Sequence, residues 1–92
     1  MYAPRYTVAD VFCGCGGLSL GFTLTQRFHT FLGTDILPEA LETFAFNHRA
    51  FGQQQPVTLL EDIAHLDYKE FSSAAKDQGI EHIDCLIGGP PC

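Results

Sequence analysis

The stretch DVFCGCGGLSLGF, residues 10–22, decides the fold. It joins a short run of β-branched and aromatic residues, Tyr6–Phe12 (YTVADVF), to a cluster of glycines and then to an apolar segment. The first part reads as a strand that ends in a tight turn. Beyond the turn, Leu18, Phe22 and Leu24 or Thr25 share one helical face, so a helix is expected from near Gly17. Gly21 counts against that helix. Strand, glycine turn and helix together form the opening unit of a parallel α/β sheet.

Working outward, the same unit recurs. Thr30–Thr34 (TFLGT) predicts a second strand ending at Asp35. In the following LPEALETFAFNHRAF, Leu37, Ala40, Leu41, Phe44, Ala45 and His48 keep helical spacing. Pro38 suits the first turn of that helix, and Glu39 favours its N-terminus. The polar connector GQQQP leads to VTLL, a third strand that ends at Glu61 and Asp62. DYKEFSSAAKDQG then predicts a helix capped by Asp67, with Glu70 three residues on and Gly79 just past its end. HIDCLIGG predicts a fourth strand, which opens onto Pro90, Pro91 and Cys92. The order predicts an α/β fold, with a parallel sheet of about four strands and crossover helices. Such sheets bind ligands outside the carboxyl ends of their strands. Asp10, Asp35, Asp62 and Cys92 are all expected along that one edge.

The glycine loop, with Gly14, Gly16 and Gly17, misses the G-x-G-x-x-G spacing of dinucleotide sites, which argues against a pyrophosphate ligand. A loop of this kind can approach an uncharged or zwitterionic nucleoside, or it can be a purely structural turn. Asp35 stands 18 residues after Gly17, where an acid commonly accepts hydrogen bonds from ribose hydroxyls. It also stands where a helix cap would. Asp62 can accept a hydrogen bond from an exocyclic amine, with Ile36 and Ile63 on either side of a ring, or be an ordinary loop acid beside buried apolar residues. Phe12 reads equally as core.

Composition bounds the function. With 46% apolar and 17% charged residues in a chain of 92, the protein is an ordinary globular sequence with a small core. No apolar run reaches the ~18 residues of a membrane span. The N-terminus lacks a basic stretch followed by an apolar core, so no signal peptide is expected, and the location is read as intracellular, cytoplasmic if prokaryotic. Free thiols are expected for the four cysteines. Their C-x-C spacing and isolation do not suit zinc, so no metal is expected. A net charge of −6 has the wrong sign for gripping DNA phosphates, which places any basic surface elsewhere.

Taken in order, four blocks resemble the cytosine-C5 DNA methyltransferases: DVFCGCGGLSLGF, GTDILPEALETFAFNH, EDI and IDCLIGGPPC. The resemblance spans nearly the whole chain. It implies a Rossmann-like methyltransferase half-domain, an incomplete domain in which residues 1–92 form the N-terminal part of the S-adenosyl-L-methionine-dependent catalytic domain. It implies cofactor binding by Phe12, Gly14, Gly16 and Gly17, by Asp35 at the ribose, by Ile36, Asp62 and Ile63 at the adenine, and by Pro91 nearby. Cys92 is implied as the nucleophile that adds to C6 of a flipped-out cytosine in double-stranded DNA. Pro90 and Pro91 restrict the backbone just before that thiol. Cys13 and Cys15 depart from the family pattern and are expected as buried apolar substitutes. Glu61 stands where glycine is usual. The family's later segments are expected to be missing, so a fragment inactive by itself is the expectation. A split enzyme completed in trans, and a non-catalytic cofactor-binding or interaction module, are the alternatives. A small-molecule methyltransferase is disfavoured, since such enzymes need no thiol nucleophile.

Overall fold

The computed structural model describes residues 5–51 and 55–89. Strands β1 (Tyr6–Val11), β2 (Phe28–Asp35), β3 (Val57–Leu60) and β4 (Cys85–Gly88) alternate with helices α1 (Gly17–Thr23), α2 (Pro38–Ala50) and α3 (Tyr68–Asp77). The strands form one sheet in the order β3-β2-β1-β4, and every pairing is parallel. The expected α/β order is therefore present. β2 starts two residues before the expected Thr30, and β4 is shorter than the predicted HIDCLIGG run. A 3-10 turn, Ile63–His65, follows β3 and was not expected from the sequence. The carboxylate of Asp67 accepts the Glu70 N–H at 3.1 Å and caps α3, as its position predicts.

Strand order sets the layers. The first two crossovers step outward from β1 to β3, and the third returns across the sheet to β4. Since such crossovers are right-handed, α1 and α2 share one face and α3 covers the other. On the α3 face, Ala9, Phe31 and Leu32 pack with Ala74 and Ala75. On the other, Phe44 packs with Leu41 and Cys13.

A bulge in β2 makes this division possible. Val8 pairs with Thr30 and Ala9 with Leu32, which leaves Phe31 as an extra residue in β2. The extra residue breaks the strict alternation of a strand. Phe31 and Leu32 therefore both reach the α3 cluster, while Thr30 and Gly33 both face α1 and α2. Gly33 is obligatory there, because a Cβ on it would overlap the Phe44 ring.

The buried face of α1 differs from the expected one. Leu18 is exposed, whereas Ser19 and Thr23 are buried. Their small side chains let the helix approach β2 and α2 closely, and each finds a polar partner. The Thr23 and Thr30 hydroxyls lie 3.0 Å apart, and Ser19 Oγ lies 3.0 Å from His48 Nε2.

At the amino end of the sheet, Thr7 fastens β4 to β1. Its N–H donates to Asp84 Oδ2 at 2.8 Å, its hydroxyl donates to the His82 carbonyl, and it accepts the Asp84 N–H at 3.0 Å.

Candidate functional site

At the carboxyl ends of the strands the chain encloses a cavity of about 370 Å³. Its volume lies within the usual range for small-molecule sites. Phe12 and Gly14 come from the loop after β1, and Thr34, Asp35, Ile36 and Leu37 from the end of β2. Glu61, Asp62 and Ile63 come from the end of β3, and Gly89 from the residue after β4. All four strand ends thus meet at one place, on the edge where parallel sheets take ligands.

The glycine loop is shaped by its backbone. β1 ends at Val11 because Phe12 turns into the left-handed region, with φ 53°. For a bulky residue this conformation costs about 1–3 kcal/mol and persists only where neighbours enforce it. The next residue is one such tie, since the Cys13 N–H donates to the Thr34 carbonyl at 2.9 Å. Gly16 has φ 89° and precedes α1, and a Cβ there would stand 2.7 Å from Phe44 Cδ2.

Asp35 joins two segments. Oδ2 accepts the Gly14 N–H at 2.9 Å, and Oδ1 accepts the Leu37 N–H at 3.0 Å. Its carboxylate is thereby held at the rim of the cavity, half-buried, with lone pairs left for a ligand. It does not cap α2, whose N-cap is Leu37, so the ribose-binding and capping readings of Asp35 separate. The Glu61 N–H donates to the Asp35 carbonyl at 3.0 Å and ties the ends of β2 and β3. Asp62 is exposed, and its Oδ1 accepts the Ala64 N–H at 2.9 Å, which starts the 3-10 turn and turns Ile63 to the cavity.

Six of the residues singled out from the sequence line the cavity together: Phe12, Gly14, Asp35, Ile36, Asp62 and Ile63. Gly16 and Gly17 lie outside the lining, at the start of α1. Pro91 and Cys92 lie outside the described residues. Thr34, Leu37, Glu61 and Gly89 also line the cavity and were not singled out as ligand-facing. Each adjoins a strand end, which is the one sequence signal that points to them.

Among the described residues, three acidic residues and no lysine, arginine or histidine contribute to this lining. The remainder is apolar or glycine, apart from Thr34. Glu70, in the first turn of α3, is pushed up to about 7, first by its hydrogen bond with Glu61. Asp10, expected at the ligand edge, instead lies within β1 and is fully buried, with neither carboxylate oxygen hydrogen-bonded. Burial raises its pKa, and the nearby Ser19 hydroxyl and amide offset this only in part, without reaching hydrogen-bond geometry. Of the two loop cysteines, Cys13 is buried as expected and burial pushes its thiol up to about 12. Cys15 is exposed, contrary to expectation, because the chain turns outward between Gly14 and Gly16.

Comparison with known proteins identifies a family. Residues 6–92 match the family described as C-5 cytosine-specific DNA methylase. The type II methyltransferase M1.HphI of Haemophilus parahaemolyticus is 33% identical over 97 residues, covering 100% of this chain and 22% of the relative. The DNA (cytosine-5-)-methyltransferase M.ApeKI of Aeropyrum pernix is 34% identical over 98 residues, covering 96% of this chain and 19% of the relative. The type II methyltransferase M.DdeI of Desulfomicrobium norvegicum is 32% identical, covering 92% of this chain and 18% of the relative. The chain spans about a fifth of the length of these relatives.

Proposed function

This chain belongs to the C-5 cytosine-specific DNA methylase family, and from that premise we propose that residues 1–92 are the N-terminal, cofactor-binding part of a DNA cytosine-C5 methyltransferase catalytic domain. The cofactor is S-adenosyl-L-methionine. One observation carries the reading: among the described residues, the cavity at the strand ends combines apolar walls with three acidic residues and no basic ones. That lining repels a polyphosphate and suits a nucleoside that carries positive charge, and S-adenosyl-L-methionine presents a sulfonium and an ammonium beside an adenosine.

The residues divide the work. Asp35, fixed by two backbone N–H groups, accepts hydrogen bonds from the ribose diol. Asp62 accepts one from the adenine amino group. Ile36 and Ile63 pack on the ring, and Phe12 and Gly14 close the loop side of the site. When bound, the cofactor supplies an electrophilic methyl group. The Cys92 thiolate adds to C6 of a flipped-out cytosine, which makes C5 nucleophilic, and loss of the C5 proton later expels the thiol. Gly89, three residues before Cys92 in the sequence, lines the cavity.

DNA is the partner proposed for the whole enzyme, with an intracellular location. Since this chain carries a net charge of −6, phosphate contacts fall to a surface outside it. The 92-residue polypeptide is expected to bind S-adenosyl-L-methionine and to transfer no labelled methyl group to DNA. Asp62→Asn, which keeps an oxygen to accept the Ala64 N–H, is expected to weaken cofactor binding by about tenfold, the loss of one charge-assisted hydrogen bond, with little change in thermal stability. Isothermal titration calorimetry against S-adenosyl-L-methionine tests this. Tight binding of a polyphosphate nucleotide in place of S-adenosyl-L-methionine would overturn the reading.

A further inference from the structure

We propose that Asn47 and His48, on the last turn of α2, are positioning residues that hold the glycine loop in its cavity-forming shape. Only the expected effect on ligand affinity rests on the cofactor reading above.

The loop's peptide groups are tied one after another. The Gly14 N–H goes to Asp35, and the Gly16 N–H goes to the Cys13 carbonyl at 2.9 Å. Two further carbonyls of the loop have side-chain partners, and that of Gly16 also accepts the Leu20 N–H at 2.8 Å, the first bond of α1. Asn47 Nδ2 donates to the Cys15 carbonyl at 3.1 Å, across 32 residues of sequence. The Ser19 hydroxyl donates to the Gly16 carbonyl at 3.3 Å, and the same oxygen lies 3.0 Å from His48 Nε2.

The hydroxyl has one proton, so a bond to Gly16 requires Nε2 to be the donor toward Ser19. His48 Nδ1 is buried with no partner. A bare ring nitrogen in that place costs less than a stranded N–H, which favours the same tautomer. Burial lowers the His48 pKa, in keeping with a neutral ring. The relay therefore runs from His48 through Ser19 to the Gly16 carbonyl.

Sterics act in the same direction. Phe44, Asn47 and His48 are spaced three and four residues apart, on one side of α2. Phe44 and His48 fill the space where Gly16 would carry a Cβ, at 2.7 Å and 3.3 Å. The helix thus presses on the loop at Gly16, binds the Cys15 carbonyl directly and reaches the Gly16 carbonyl through Ser19 of α1. Gly14, two residues earlier, lines the cavity.

The test is amide hydrogen exchange of the full chain by NMR, together with S-adenosyl-L-methionine affinity. Asn47→Ala and the isosteric Asn47→Asp both remove the donor, and His48→Leu breaks the relay. Each is expected to speed exchange at Gly14 and Gly16 by about tenfold, with Leu32 and Ala75 in the opposite layer changed by less than about twofold. His48→Gln returns a donor and is expected to restore loop protection. Affinity for S-adenosyl-L-methionine is expected to weaken by about tenfold in the three disrupting variants and to recover in His48→Gln. Uniform loss of protection, unfolding of the Asn47 variants, or unchanged exchange at Gly14 and Gly16 would each overturn the proposal. If the unsubstituted chain binds no S-adenosyl-L-methionine, the cofactor reading falls, and the exchange measurement still decides this one.

Discussion

The two faces of the sheet solve different problems. Against α3 the buried side chains are apolar, with Ala9, Phe31 and Leu32 meeting Ala74 and Ala75 and with Phe71 and Ile80 at the margin; the polar contact sits at the helix end, where Gln78 Nε2 donates to the Phe31 carbonyl at 2.8 Å. Against α1 and α2 the buried set includes Asp10, Ser19, Thr23, Thr30 and His48, threaded between Gly33 and Phe44. Apolar burial is non-directional and scales with area, so the α3 face supplies cohesion. Buried hydrogen bonds add only about 1 kcal/mol net each, but leaving one unmade costs about 1–3 kcal/mol. The α1 and α2 face is therefore tuned for position, and it is the face that carries the glycine loop.

Substitutions on each face put that contrast at risk. The largest effect is expected for Phe31→Ala, which empties the centre of the apolar face and lowers stability by about 3–5 kcal/mol in urea denaturation. A smaller loss there would mean that cohesion does not reside on the α3 side. On the polar face, Thr30→Val strands the Thr23 hydroxyl and is expected to cost about 1–2 kcal/mol, whereas the double variant with Thr23→Val should cost less than the single one. If the two losses simply add, the pair is packing and not a hydrogen bond.

The smallest effect concerns pH. Glu70 at the start of α3 has its carboxyl raised from 4.5 to about 7, first by the hydrogen bond with Glu61. The folded chain then holds a proton that the unfolded chain releases at lower pH. This contribution is fully present below about 4.5 and is lost as pH rises through about 7. Glu70→Gln is expected to flatten the change in melting temperature across that interval, and identical slopes in the two proteins would remove the carboxylate pair from the account.

Much of this was legible in the sequence, for identifiable reasons. Alternating strand and helix signals gave the sheet, because each element carries its own periodicity and punctuation, as with Asp67 and Gly79 around α3. Asp35 and Asp62 were legible because acids at strand ends have few other places to go. Hidden features depend on partners distant in sequence. Ser19 and Thr23 look like surface residues until Thr30 and His48 arrive to satisfy them. The bulge at Phe31 leaves no signature of its own, since Phe31 and Leu32 fit either face. Glu61 stood out only as a departure from a usual glycine, yet it lines the cavity and its N–H joins β2 to β3.

The fastening of Thr7 to Asp84 spans 77 residues and bears on how the polypeptide is made. β2 and β3 can dock on β1 in the order they leave the ribosome, but β1 keeps one naked edge until β4 emerges. At roughly 5–20 residues per second, synthesis leaves that edge open for roughly 4–15 s. An unpaired parallel-sheet edge is a template for any passing strand, so the nascent chain is most prone to aggregate in this interval. A trigger for late compaction is thus written into the second residue of the first strand.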